Sequence, residues 1–218
     1  QFYTCKLYRN NLTVLQDGYS YQNSSSEMIA NCTCSLITGV HNIIVDTMTP
    51  WDSEKILQSL EKHNLTCEKI NYVISTHGHS DHTGNNNLFL KATHIVGWSI
   101  SFKDKYFIHP FEKGNEFIVN EFVKVVPTPG HTMSDVTVLV KSKDEIVLIN
   151  IIFIGDLFEK HEDIMNQNIW MSVGSEDPIQ QAKNRAKIAD AADWIIPGHG
   201  PMFKVTNEIR TVLRNQSS

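Results

Sequence analysis

Three imidazoles and a carboxylate fall within six positions of one short stretch, Thr76-His77-Gly78-His79-Ser80-Asp81-His82. Neutral imidazole is a common ligand of zinc and related metals, and carboxylate oxygen completes such sites. Three further residues of the same chemistry follow at a distance. His131 ends Val126-Pro127-Thr128-Pro129-Gly130-His131, Asp156 ends Ile152-Phe153-Ile154-Gly155-Asp156, and His199 ends Ile195-Ile196-Pro197-Gly198-His199. Each follows an apolar run and is immediately preceded by glycine. Alone, any of them reads as a loop residue. With the cluster they read as one device repeated: strand, tight turn, metal-type donor at the strand end. Two divalent ions about 3.5–4 Å apart can share a hydroxide, because coordination lowers the pKa of water towards about 7. That chemistry hydrolyses carbonyl or phosphorus centres.

The elements that must position these donors are legible around them. Ile70-Asn71-Tyr72-Val73-Ile74-Ser75 reads as a buried strand that delivers the cluster at its carboxyl end. Gly78 allows a sharp turn there, and Gly84 with three asparagines predicts a short loop leading into a helix. Strands are expected at 12–15, 32–38, 43–46, 95–96, 117–126, 135–140, 146–154 and 194–196. The serine-rich stretch 20–27 reads as a mobile hairpin tip or loop beside the site. Thr49-Pro50-Trp51-Asp52 predicts a helix start with Thr49 as N-cap and Ile56, Leu57 and Leu60 on its apolar face. Further helices are expected at 178–191 and 205–214. Strands in two series with interleaved helices predict a layered α/β sandwich. Ser75, Thr76, Thr128 and Thr132 are candidates for holding imidazole tautomers.

The pattern H-x-H-x-D-H, then a single His, a single Asp and a single His, resembles that of the metallo-β-lactamase fold superfamily over roughly residues 30–205. The resemblance implies an αββα four-layer sandwich with a two-metal site at one edge of the sheets. It implies that His77, His79 and His131 hold a first metal. Asp81, His82 and His199 would hold a second, and Asp156 would bridge both. It further implies a catalytic role for Asp81, which would orient the nucleophile or accept its proton, and a supporting role for Asp46 through hydrogen bonds. His79 stands where the di-iron flavoprotein branch has Glu, and Asp156 where many antibiotic-degrading members have Cys. The spacing between His131 and His199 leaves no room for the extra domain of mRNA-cleavage-factor nucleases. The stretch beyond His199 is short against the helical domain of glyoxalase II. Hydrolysis by a compact member is the expectation. The cofactors implied are two divalent ions, zinc first, with iron or manganese suiting the same donors.

Within the superfamily, Gly155-Asp156-Leu157-Phe158-Glu159, Trp170, Ser175-Glu176-Asp177-Pro178 and Ala192-Asp193-Trp194-Ile195-Ile196-Pro197-Gly198-His199-Gly200-Pro201-Met202-Phe203 look like an animal, glyoxalase II-like branch. That resemblance implies a zinc-dependent endoribonuclease acting on histone pre-mRNA 3′ ends, a homodimer, and cytoplasmic and nuclear location. Two other readings share the ligand set. One is glyoxalase-like hydrolysis of a small-molecule ester, thioester or lactone. The other is a non-catalytic metal-binding module. Phosphate binding calls for cations, for which Lys160, Arg185 and Lys103 are candidates, and bases could stack on Trp170 or Tyr106. Trp98, Phe102, Tyr106 and Phe107 could line a pocket or cover a core edge.

The remaining composition sets bounds. The 218 residues are enough to bury a substantial core and read as one domain spanning 1–218. A formal charge of −5 excludes a strongly basic nucleic-acid-coating protein. No apolar run reaches the length of a membrane span, and no signal peptide is visible in these residues. Cys5, Cys32, Cys34 and Cys67 form no C-x-x-C pair and read as inert thiols, with Cys32 and Cys34 on one strand face. Asn-x-Ser/Thr sequons occur at Asn11, Asn23, Asn31, Asn64 and Asn215.

Overall fold

Short β-branched strands with alternating burial build two sheets that face each other. The computed structural model describes residues 11–143 and 148–218. In chain order the first half comprises β1 (Asn11–Gln16), β2 (Tyr19–Ser24), β3 (Glu27–Asn31), β4 (Cys34–Thr38), β5 (Ile43–Val45), α1 (Ser53–Lys62), β6 (Tyr72–Ser75), α2 (Ser80–Thr83), β7 (Thr93–Val96), β8 (Ser99–Phe102) and β9 (Lys105–Phe107). The second half comprises β10 (Phe117–Ile118), β11 (Val123–Pro127), β12 (Val136–Lys143), β13 (Leu148–Phe153), α3 (Asn168–Met171), α4 (Pro178–Ala191), β14 (Trp194–Ile196), β15 (Phe203–Lys204) and α5 (Asn207–Gln216). One sheet has the order β1-β4-β5-β6-β7-β8-β9 and the other β10-β11-β12-β13-β14-β15. β2 and β3 form a separate hairpin.

Period-two alternation assigns each apolar side chain to a layer. Ile43 and Val45 of β5 and Ile74 of β6 point inward, where they meet Val125 of β11, Val136 and Val138 of β12, Phe153 of β13 and Ile196 of β14. Their neighbours point outward. Leu36, Ile44 and Val73 pack on Ile56 and Leu60 of α1. Ile152 and Ile195 pack on Ala186 and Ala189 of α4 and on Ile209 and Leu213 of α5. The result is the αββα sandwich that the family pattern implied.

Parallel pairing fixes where the donors emerge. β5, β6 and β7 run parallel with Val45, Ile74 and Ile95 in register, and β13 and β14 run parallel with Phe153 opposite Ile196. The cluster follows β6, Asp156 follows β13 and His199 follows β14, so all leave the sandwich at one edge. β11 is antiparallel to β12, and β12 to β13, so the His131 loop leaves at the same edge. The Val136 amide donates to the Thr76 carbonyl at 2.9 Å and ties the two sheets together there.

Several elements differ from expectation for local reasons. The stretch 117–126 is a hairpin rather than one strand, because the Asn120 side chain accepts from the Phe122 and Val123 amides and turns the chain. Residues 20–27 belong to the β2–β3 hairpin, paired from Tyr19–Asn31 to Ser24–Glu27. Thr49 bonds the Asp52 carboxylate instead of capping a helix, and Pro50–Asp52 form a 3-10 turn before α1. The helix after the cluster is only the single turn α2, followed by a 3-10 turn at Asn86–Leu88. α4 starts at Pro178 as expected, with the Asp177 side chain accepting from the Gln180 amide, and α5 is capped by Thr206. Part of the predicted 146–154 strand, and Cys5, lie outside the described residues. Cys32 and Cys34 are buried free thiols of one cluster, and burial pushes the Cys34 thiol well above its usual range, which leaves it inert. Among the described residues, no helix is long and apolar enough to cross a membrane.

The outer layer on α1 gives a direct test. Ile56 is fully buried while Leu57 is 41% exposed. Ile56→Ala should cost about 2–5 kcal/mol, the range for truncating a buried aliphatic side chain. Leu57→Ala should cost well under half of that, both read by urea denaturation of chelated protein. Equal losses would contradict the packing of α1.

Candidate metal centre

The four loops bring all seven donors into one cluster. His79 Nδ1 lies 2.8 Å from His77 Nε2 and 3.1 Å from His131 Nε2. Asp156 Oδ2 lies 3.5 Å from His77 Nε2 and 3.4 Å from His131 Nε2. These four atoms lie within 4.8 Å of one another, as a cation's donors must. On the other side, Asp156 Oδ1 is 3.2 Å from both His82 Nε2 and His199 Nε2. Asp81 Oδ2 lies 3.9 Å from His82 Nε2 and 3.8 Å from His199 Nε2. Asp156 therefore turns Oδ2 towards His77 and His131 and Oδ1 towards His82, while His199 Nε2 lies near both oxygens, 3.3 Å from Oδ2.

Donor chemistry fits divalent cations. His82 Nε2 and Asp156 Oδ1 are buried and have no hydrogen-bond partner among the described residues. Buried polar atoms are normally paired, so atoms of complementary ligand type aimed at one point call for a cation. Burial holds His77 and His131 well towards the neutral, ligating form of imidazole. Burial also opposes charging of His199, but the Asp156 carboxylate outweighs it and raises His199 to about 9. A cation there competes with that proton, so metal affinity depends on pH.

The outer ring nitrogens fix the tautomers. His82 Nδ1 donates to Asp46 Oδ2 at 3.0 Å, and His199 Nδ1 donates to the Asn31 carbonyl at 3.0 Å. The Thr76 hydroxyl lies within 3.2 Å of both Asp46 oxygens. With its proton on that carboxylate, it can accept from His77 Nδ1 at 3.2 Å. Each arrangement leaves Nε2 with its lone pair facing Asp156. Asp46 also accepts the Thr76 amide at 2.8 Å, and does so from a left-handed backbone with φ 55°. Of the other candidates, Ser75 holds the His82 carbonyl, Thr128 bonds Thr137, and Thr132 bonds Asp135. Gly198 is required by contact, since a Cβ there would strike Asp156 Oδ1. Gly155 has φ +48°, and a Cβ would strike Thr76.

Several supporting residues lie outside the linear ligand pattern. Asp135 sits 4.0 Å from His77 Nδ1 and is raised to about 7 by burial. Asn31 is buried and bonds Asp52 through its side-chain nitrogen, so its sequon is closed in the folded chain. α4 grips two donor loops at once. Gln181 donates to the Asp156 carbonyl at 2.9 Å, and Asn184 donates to the Pro129 carbonyl at 2.7 Å. The Ser-Glu-Asp-Pro segment holds the third donor's loop: the Glu176 and Asp177 amides donate to the His131 and Gly130 carbonyls, and Glu176 accepts the Met133 amide. A sequence signal for Gln181 and Asn184 did exist, as polar residues on the buried side of an alanine-rich helix.

The expected substrate contacts need correction. Arg185 is fully buried and pairs with Asp163, with Nη2 2.5 Å from Oδ1 and Nη1 donating to the Leu157 carbonyl at 2.7 Å. Its guanidinium lies 3.9 Å from the Phe158 ring centre and 5.0 Å from that of Trp170, which is also buried. Both residues brace the loop behind Asp156 and offer nothing to a ligand. Lys160 lies against Gly200, the residue after His199, with Nζ donating to the Ser20 carbonyl at 2.9 Å. Tyr106 and Phe107 are exposed on β9, and Lys103 sits at the β8–β9 turn over Phe102. Trp98 packs against the inter-sheet core and donates to the Asp135 carbonyl. Arg185→Leu should destabilise the chelated protein by about 3–5 kcal/mol, because it strands the buried Asp163 carboxylate. Arg185→Leu combined with Asp163→Leu should recover part of that loss in the same denaturation experiment. A silent single variant would show that the pair is not what braces the loop.

Comparison with known proteins agrees with this geometry. The sequence profile described as Metallo-beta-lactamase superfamily matches residues 30–199. Metallo-beta-lactamase domain-containing protein 1 of Xenopus laevis is 40% identical over 194 residues, covering 88% of this chain and 80% of that protein. The Mus musculus protein of the same name is 34% identical over 168 residues, covering 76% of this chain. This chain spans 62% of the mouse protein's length. A crystal structure of a probable metal-dependent hydrolase from Staphylococcus aureus superposes with a TM-score of 0.70 at 16% identity, covering 92% of this chain and 94% of that one, and shares the fold. By this match, over most of its length, the chain belongs to the metallo-β-lactamase superfamily of metal-dependent hydrolases.

Proposed function

We propose that this chain is a binuclear metal-dependent hydrolase and that its substrate is an RNA phosphodiester. The observation that carries the binuclear reading is the central place of Asp156, whose Oδ2 faces His77 and His131 and whose Oδ1 faces His82, with His199 within reach of both oxygens. The centre is also open on one side. His79 is exposed and Asp81 half-buried, whereas His77, His82, His131, Asp156 and His199 are buried. Closed sites serve structure, and catalytic sites keep an open position, so the openness favours an enzyme over a purely structural metal module. The RNA reading is supported by the likeness to the animal branch, which also supports a homodimer and cytoplasmic and nuclear location.

Two divalent cations, zinc first among the candidates, would supply a hydroxide at neutral pH and stabilise negative charge developing on substrate oxygens. The chain's own residues do the rest. Asp46, Thr76 and Asn31 hold three imidazoles in the ligating tautomer. Asp81 presents its carboxylate at the open side, where it can orient the nucleophile or accept its proton. The buried ring of donors excludes water from every other side. A second reading, hydrolysis of a small-molecule ester, thioester or lactone, is favoured by one observation. Arg185 and Trp170, the expected phosphate and base contacts, are both spent inside the core.

One assay separates the two readings. Zinc-loaded protein is incubated with a labelled single-stranded RNA carrying a histone pre-mRNA 3′ end, and in parallel with a thioester and a lactone. Chelated protein and Asp156→Ala serve as controls, and metal content is measured in each. RNA cleavage lost in both controls is the expected result, with Asp156→Ala losing metal. Thioester or lactone turnover by a two-metal protein that leaves RNA intact would overturn the substrate assignment. Full two-metal occupancy in Asp156→Ala would overturn the bridging role. Asp81→Asn should lower turnover about 10²–10⁴-fold, the range for losing a positioned proton acceptor, with little change in the unfolding midpoint.

A further inference from the structure

Glu159 is a carboxylate beside His199 Nε2 that the linear ligand pattern leaves out. It follows Asp156 by three positions, and the 3-10 turn Gly155–Leu157 brings it back beside the donors. Only 2% of the residue is exposed. Its Oε2 lies 4.0 Å from His199 Nε2 and accepts from the Ser20 hydroxyl at 3.5 Å. Its Oε1 is buried with no hydrogen-bond partner among the described residues. Asp156, Glu159 and His199 each place one donor atom within 4.8 Å of the others.

The neighbouring cations do not neutralise it. Arg185 is committed to Asp163, and Lys160 bonds the Ser20 carbonyl. Asp163, a further acid close by, is paired with Arg185 and accepts the Glu159 backbone amide. An isolated buried carboxylate with an unpaired oxygen is costly unless a cation or proton meets it. Among the described residues, the buried imidazoles of His199 and His82 are the basic groups that act on it, and both are proposed ligands.

We infer that Glu159 is an additional carboxylate donor of the His199 side of the centre, strengthening the hold on the second divalent cation. This rests on the binuclear reading above. The pattern-derived donors of that side are Asp81, His82, His199 and the shared Asp156, of which Asp81 is the most exposed. Glu159 adds a second unshared carboxylate from the buried side. It raises the negative charge facing the cation and favours a hard or borderline divalent ion. Its seat on the Asp156 loop couples the second position to the same turn that sets the bridge.

The test is titration of chelated protein with Zn²⁺ against a chromophoric competing chelator, which yields stoichiometry and both affinities without any substrate. Glu159→Gln keeps shape and the bond to Ser20 while removing the charge. It should weaken the second zinc by about 10–100-fold, the usual size for a supporting group at a metal site, and leave the first within a few-fold. In chelator the variant should melt no lower than the parent, because a buried charge is gone. In zinc its stabilisation should shrink, as ligand linkage requires. Ser20→Ala is the control for an indirect role through the hairpin and should leave both affinities unchanged. A parent that binds two zinc ions, with Glu159→Gln binding both equally well, would overturn the inference and leave the binuclear reading intact. A Ser20→Ala variant as weak as Glu159→Gln would also overturn it, placing the effect in the hairpin. A parent that binds only one zinc would remove both.

Discussion

Four imidazoles converge on the buried carboxylate of Asp156, and the rest of the structure is arranged so that this can happen. His77, His131, His82 and His199 each place a ring nitrogen within 3.5 Å of it. Burial alone would disfavour an ionised Asp156, and the surrounding His199, His82 and His77 outweigh it and hold the acid well below the usual carboxylate range. So dense a set of donors is unstable by itself, because like groups repel and lone pairs lack partners. A divalent cation resolves that conflict by taking the place of protons. The fold must therefore hold the donors together until a cation arrives, at a cost the remainder of the domain has to offset.

That holding is done by residues with no ligand chemistry of their own. Asp46 accepts a backbone amide, a hydroxyl and an imidazole N–H from one left-handed position, which costs on the order of 1 kcal/mol for a residue with a Cβ. α4 anchors the Asp156 and His131 loops through Gln181 and Asn184, and the Ser-Glu-Asp-Pro segment closes on the His131 loop. Arg185 and Asp163 form a buried pair behind the Asp156 turn, roofed by Phe158 and Trp170. Removing either charge would strand the other, so this pair makes the position of the turn all-or-none rather than adjustable. The parallel strands β5, β6, β13 and β14, together with the antiparallel pair β11 and β12, then present every loop at one edge.

The candidate donors stood out in the sequence by their type and their placement after short apolar runs. His77 to His82 declare themselves by density, and His131, Asp156 and His199 by repetition of the same strand-turn-donor device. The layered architecture was legible for a similar reason, since period-two strands such as Ile43-Ile44-Val45 must bury both faces. Helix α4 announced itself through Asp177 and Pro178. The αββα arrangement itself came from the likeness to a known family and is now seen in which face each of these side chains buries.

What only the tertiary structure decided concerns charge and contact across long separations. Arg185 and Trp170 look like surface ligand contacts in a linear chain, because nothing local says that Asp163 and Phe158 will close over them. Glu159 looks like an ordinary acid until the 3-10 turn folds it against His199. Asn31, a sequon in the sequence, becomes the acceptor that orients His199 from 168 residues away. Local pattern determines which residues can form a strand, a turn or a ligand, since those properties depend on neighbours along the chain. Whether a polar side chain faces solvent, a partner or a cation depends on what packs against it, and only the folded chain supplies that.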